Sequence, residues 1–161
     1  MAEKQRTLEE QIDSRIARVA EREPDWEALG FQAEVDPKYR RAQMRYIGTG
    51  ATGAEDANVI PSEHFTLSTM VLPEGAEGPL HLHSDSEEVF FVLDGQLRFI
   101  VEHEGERVER TLGPRDCISV PPGVYRGLVN EGSGEARMLV IIGSQKPELP
   151  TYPEDSPVKR N

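Results

Sequence analysis

Residues Gly75–Gly95 read GAEGPLHLHSDSEEVFFVLDG. His81 and His83 stand two apart, so on a β-strand both imidazoles leave the same face while Leu82 points away. Ser84-Asp85-Ser86 has the composition of a turn, and Glu88 then returns on the following strand with a carboxylate for the same point. Two neutral imidazoles and one carboxylate make a three-ligand metal site that leaves positions open for water, oxygen or substrate. A His-x-His pair alone is more often two surface or core histidines. Here it is one half of the chain's four His, inside a run with further fixed points.

Outward from this stretch the pattern is β from about Arg40. Strands are expected at 41–48, 64–72, 79–83, 87–93, 96–103, 107–112, 116–120, 124–130 and 136–143. The breaks between them carry turn chemistry: Pro73-Glu74-Gly75, Asp94-Gly95, Glu104-Gly105, Gly113-Pro114 and Gly132-Ser133-Gly134. Many short strands with Gly and Pro turns indicate an all-β antiparallel sandwich or barrel. Glu88, Phe90 and Val92 share one strand face, and Leu97, Phe99 and Val101 share another. The opposite face, Val89-Phe91-Leu93, is equally apolar, which implies a cover. The N-terminal helix or a second subunit could supply it, and a homodimer is the more economical expectation.

The residues around His81 resemble the first motif of the cupin superfamily, G-x5-H-x-H-x4-E-x6-G, which Gly75, His81, His83, Glu88 and Gly95 match at every fixed position. Pro121, Gly123 and Asn130 fit the second motif, G-x5-P-x-G-x2-H-x3-N. Two positions depart: Arg115 replaces the first Gly, and Arg126 replaces the His. The resemblance spans roughly residues 40–145 and implies a jelly-roll barrel. It also selects Glu88 over Glu87 as the inward carboxylate. Three segments follow: an N-terminal helical extension at 1–39, the barrel at 40–145 and a Pro-rich C-terminal tail at 146–161.

The chain has 161 residues, enough for one domain with a real core and not for two. Its net charge of −11 argues against nucleic acid or an anionic membrane as partner. Apolar runs reach only five residues, as at Val89–Leu93, far too short to span a membrane. The N-terminus MAEKQRTLEEQ lacks the apolar core of a signal peptide, and Cys117 is alone, so the expected compartment is the cytoplasm. Cys117 itself reads as a small buried hydrophobe rather than a nucleophile. Asp116 reads as a turn residue.

Thr7-Leu8-Glu9-Glu10 has the form of a capping box, and Leu8, Ile12, Ile16 and Val19 recur at helical spacing, predicting a helix over 7–22. Asp25–Gly30 is expected to add one further helical turn ending at Gly30. The tail Lys146–Pro157 holds four of the twelve prolines and is expected to be extended or wrapped on the surface.

In cupins the His of the second motif commonly supplies a fourth ligand. Arg126 cannot ligate, because its guanidinium stays protonated. Three arrangements compete. His81, His83 and Glu88 hold the metal alone, resembling the facial triad of non-haem Fe(II) oxygenases, and Arg126 pairs with an anionic substrate. Alternatively, Arg126 pairs with Glu88 in a site without metal, or His64 or His103 takes over as fourth ligand. The first is the leading expectation, with Arg126 as the catalytic residue. It implies one divalent metal, Fe(II) foremost and Zn, Ni or Mn as alternatives, in a dioxygenase. Phe90, Val92, Phe99 and Leu128 would line an apolar pocket for a small aromatic or enol substrate, an acid by virtue of Arg126. Tyr46 and Tyr125 are further pocket candidates. A ligand-binding module without catalysis, or a metal-dependent lyase, decarboxylase or isomerase, would carry much the same sequence.

Overall fold

A computed structural model describes residues 6–159. The barrel contains nine strands: β1 Ala42–Ile47, β2 Thr66–Leu72, β3 Glu77–His81, β4 Glu88–Asp94, β5 Leu97–His103, β6 Glu106–Leu112, β7 Cys117–Val120, β8 Tyr125–Asn130 and β9 Ala136–Ile142. They form two antiparallel sheets, ordered β1-β2-β9-β4-β7 and β3-β8-β5-β6. Every expected strand is present, within two residues at nearly every end. The architecture is a jelly roll.

Alternation on each strand sets the core. Phe90 and Val92 of β4 stand opposite Val140 and Met138 of β9, and Met138 stands opposite Met70 of β2. This apolar layer meets Leu97 and Phe99 of the other sheet, with the Phe90 and Phe99 rings 5.3 Å apart. The second-motif Asn130 is buried and works as a clamp. Its amide donates to the carbonyls of Leu72, Pro73 and Gly134, and its carbonyl accepts from the Gly132 N–H. Asp116 has the turn role expected of it, accepting from the Gly113 N–H at 3.0 Å.

The N-terminal segment differs from expectation. The capping box forms, with Thr7 and Glu10 exchanging both hydrogen bonds, but α1 covers only Leu8–Asp13. Leu8, Ile12, Ile16 and Val19 are all exposed, by 42–73 %. With no surface under its apolar stripe, so short a helix lacks the packing that usually sustains one. Asp25 caps the next turn by accepting from the Glu27 and Ala28 N–H groups, and α2 spans Gly30–Val35, so it starts at Gly30 instead of ending there.

The outer face of the first sheet stays partly open. Val89, Phe91, Leu139 and Ile141 are half-buried, and Leu93 is exposed. Residues 8–19 do not cover this face, since their own apolar side chains are exposed. Cys117 is likewise exposed on β7, contrary to the expectation of a buried thiol, because its strand parity puts it on this outer side opposite Phe91. No helix among the described residues is long and apolar enough to cross a membrane.

Arg115, in the position of a motif glycine, keeps the backbone a glycine would have. Its φ is 76°, in the left-handed region that disfavours residues with a Cβ. Its side chain is exposed, and no ion pair is seen for it among the described residues. Arg115→Gly should therefore stabilise the protein by roughly 1 kcal/mol, read as a higher denaturant midpoint at unchanged slope.

Candidate metal centre

Three backbone devices bring the motif residues together. His81 ends β3, paired with Arg126 of β8 across an irregularity that follows Gly78. Leu82 exchanges two 2.9 Å backbone hydrogen bonds with Thr151, so the C-terminal tail holds the segment between the two histidines. The His83 carbonyl accepts from the Gly123 N–H at 2.8 Å, which ties it to the Pro-Pro-Gly turn of the second motif. Glu88 opens β4 between Val120 of β7 and Ile142 of β9. Glu87 points outward, accepting from the Ser119 hydroxyl.

The ligand atoms of His81, His83 and Glu88 all lie within 4.8 Å of one another. His81 Nε2 is 3.4 Å and His83 Nε2 is 3.5 Å from Glu88 Oε2. The opposite ring nitrogens face carbonyl oxygens: His81 Nδ1 is 3.0 Å from Pro79 O, and His83 Nδ1 is 3.4 Å from Glu148 O. A carbonyl only accepts, so each Nδ1 is the protonated nitrogen, and a neutral ring then turns a bare lone pair of Nε2 toward the carboxylate. Glu88 Oε2 is buried and receives no hydrogen bond. With both rings neutral, three electron-rich atoms converge here, the Arg126 guanidinium 3.6 Å from Glu88 Oε2 is the cation beside them, and the three side chains could together hold a metal ion as well. The separations suit one. Two donor atoms each about 2.1 Å from one ion can be at most about 4.2 Å apart, and both His–Glu88 separations fall inside that span.

Charge and burial act in the same sense. Burial pushes the Glu88 carboxyl up; hydrogen bonding from His81 and the charges of His81, His83 and Arg126 outweigh it when the imidazoles are protonated and hold the group below its ordinary range, and with neutral rings Arg126 alone acts in that sense. Burial lowers His83, against the pull of Glu88, so the neutral ligand form is favoured. Arg126 is 1 % exposed. Its Nη2 donates to the carbonyls of Val120 and Pro121, its Nε lies 3.6 Å from Glu88 Oε2, and its Nη1 is buried without a partner. Of the sequence-derived arrangements, the contact between Arg126 and Glu88 is present in this geometry together with all three ligand side chains.

The remaining candidates lie elsewhere. His64 is exposed on a loop, and His103 is exposed at the end of β5 beside Glu104, so neither stands near the three converging atoms. The parity that suggested an inward His103 holds only as far as Val101, where the strand leaves the barrel. A cavity of about 80 Å³ adjoins the site. Phe90 and Leu128 line it as expected, but Val92 and Phe99 lie in the closed core, and Met70, Met138 and Ile142 contribute in their place. The cavity tyrosine is Tyr152, not Tyr46 or Tyr125. The tail brings its ring to 6.4 Å from that of His81. Gln32 of α2 and Arg41, just before β1, also line the cavity, and no local sequence signal marked them.

Comparison with known proteins agrees with this geometry. The cupin domain family model matches residues 68–142. Germin-like protein 1 of Brassica napus is 34 % identical over 87 residues, covering 52 % of this chain and 42 % of that protein. The chain spans less than half the length of the germin-like relatives it matches. Among solved structures, recombinant oxalate oxidase in complex with glycolate superposes with a TM-score of 0.52 at 22 % identity, over 55 % of this chain and 46 % of that one. An oxalate decarboxylase variant from Bacillus subtilis gives 0.54 at 20 % identity, over 65 % and 26 %. At these identities the structural matches speak for the fold. With both motifs in one jelly roll, the family match over residues 68–142 and the germin-like relatives, this chain contains a cupin domain.

Proposed function

We propose that this chain is a mononuclear metal-dependent cupin enzyme acting on a small organic acid, with His81, His83 and Glu88 as the metal ligands. The observation that carries the reading is the convergence of two Nε2 lone pairs on the donorless Glu88 Oε2. In this reading the metal is Fe(II) and the enzyme a dioxygenase, the metal supplying redox chemistry that no side chain here can provide. The residues do the rest. Pro79 O and Glu148 O orient the two imidazoles, and the apolar lining of Met70, Phe90 and Leu128 shapes the cavity beside them. We assign Arg126 to holding and charge-balancing Glu88, since its Nη2 is engaged with backbone and its Nη1 is sealed from solvent.

The cavity narrows the substrate. At about 80 Å³ it has room for roughly five to eight water-sized groups, which favours a short acid or enol over a substituted ring. The same small size favours one second reading, a metal-dependent decarboxylase or other lyase using the ion only as Lewis acid. Structural neighbours bearing the names oxalate oxidase and oxalate decarboxylase are compatible with either. We further propose a cytoplasmic homodimer built on the open face around Val89 and Phe91.

Metal analysis after anaerobic purification tests the core of the proposal. One divalent ion per chain is expected, with oxygen uptake if it is Fe(II), whereas Zn or Ni without uptake would favour the lyase. His81→Ala or His83→Ala should abolish stoichiometric binding with the fold retained, and Glu87→Ala should leave it unchanged. Equal loss from Glu87→Ala and Glu88→Ala would contradict the assignment. In metal-free protein Arg126→Met should lower stability by roughly 3–5 kcal/mol in chemical denaturation, because it leaves Glu88 buried without a cation. A metal-free Arg126→Met as stable as the parent would show the pair to be dispensable. Sedimentation should find a dimer that Phe91→Glu dissociates; a monomeric parent protein would rule the dimer out.

A further inference from the structure

Arg41, Gln43 and Arg45 alternate along the start of β1, and all three are buried inside the barrel. The two arginines are treated differently. Arg45 is neutralised twice, by Asp25 at 2.7 Å and Asp56 at 3.0 Å, and it also donates to Gln43. Arg41 is as deeply buried, yet no carboxylate pairs with it among the described residues. Its Nη1 donates to the carbonyls of Tyr39 and Glu77, which satisfies that one nitrogen and none of the charge. Burial lowers the guanidinium to about 10, with Tyr152 and Glu88 pulling the other way. An uncompensated buried cation is expensive, and native structures pair such charges.

The missing partner has a place to sit, because Arg41 lines the same cavity as the candidate metal ligands. Of the cavity's ionisable side chains, Arg41 and Arg126 carry positive charge and only Glu88 carries negative charge when the histidines and Tyr152 are neutral. Glu88 is already committed to His81, His83 and Arg126. In a chain of net charge −11, this interior has a positive excess. A divalent ion would increase it. Beside Arg41, the Gln32 amide donates to the Tyr152 hydroxyl at 2.8 Å, while its Oε1 is buried without a partner. That leaves a polar group able to meet a hydroxyl or enol of a ligand.

We infer that Arg41 is the anchor for the carboxylate of a small organic acid, with Gln32 beside it and the apolar body of the ligand against Met70, Phe90 and Leu128. Arg41 is then a binding residue, and Arg126 is the positioning residue of Glu88. The assignment deepens the proposed function by naming the ligand's charged group, and it rests on that reading for the chemistry at the other end of the cavity.

Calorimetric titration with butyrate and 2-oxobutyrate tests it, with butyramide as the uncharged control, on full-length protein with its metal and after EDTA treatment. The acids should bind and the amide should not. Arg41→Gln should weaken acid binding about tenfold or more at unchanged metal stoichiometry, and Arg41→Lys should weaken it less. Loss of the Tyr39 and Glu77 contacts could unfold Arg41→Gln, so the parent protein provides a second readout. The ¹⁵N resonance of Arg41 Nε should move on adding acid and stay still on adding amide. An unmoved resonance, undiminished affinity in Arg41→Gln, or no binding of either acid would overturn the assignment. EDTA separates the two proposals. Acid binding that survives Arg41→Gln but is lost with the metal would place the anion on the ion, leaving the metal reading intact and this one refuted. Acid binding that needs Arg41 in EDTA-treated protein would sustain it even if no metal were found.

Discussion

Glu88 Oε2 is the atom on which the interior of this barrel depends. It is buried, it accepts no hydrogen bond, and it is approached by two imidazole nitrogens and by the guanidinium of Arg126. A carboxylate in such a place would ordinarily be forced toward protonation by desolvation. Here the Arg126 guanidinium, and the imidazoles when protonated, pull it the other way. The elements bearing these groups are therefore constrained together. The end of β3, the start of β4 and the middle of β8 can only take positions that deliver His81, Glu88 and Arg126 to one point. The tail is drawn into the same set, since Glu148 O orients His83 and Thr151 holds Leu82.

The replacement of an imidazole by Arg126 changes the character of this point more than its position. An imidazole there would add a ligand; a guanidinium adds a fixed cation that cannot ligate. The exchange trades coordination for charge compensation and keeps the site at three donors. With three donors in place of four, one more position on a bound ion would be left for substrate or oxygen. The second cation, Arg41, lies along the same cavity without a counter-ion, so the interior as a whole is set up to receive negative charge from outside the chain.

Much of the barrel was legible in the sequence because its signals are local. Period-two alternation and Gly or Pro turns need only a few residues of context, and they located all nine strands. The Glu104-Gly105 turn is an example: both residues have positive φ, as a tight two-residue hairpin turn demands. The pairing of His81 and His83 was legible from strand parity, and Glu88 rather than Glu87 from the resemblance to the cupin motif. What escaped depends on contacts distant in the chain. The helix expected over 7–22 stops at Asp13 because its apolar stripe finds no partner, which periodicity cannot reveal. Tyr152 reaches the site only because the tail folds back on Leu82. Arg41 and Arg45 look alike in sequence, and only the positions of Asp25 and Asp56 tell the neutralised one from the other.

The central claim is that a metal ion, rather than protons, reconciles the three electron-rich atoms. Anomalous diffraction from crystals of anaerobically purified protein, collected on both sides of the metal absorption edge, addresses it directly. The account predicts one anomalous peak per chain within about 2.0–2.2 Å of His81 Nε2, His83 Nε2 and a Glu88 carboxylate oxygen. Density without an anomalous peak, with Arg126 closed onto Glu88 in a hydrogen-bonded pair and the imidazoles turned away, would contradict it.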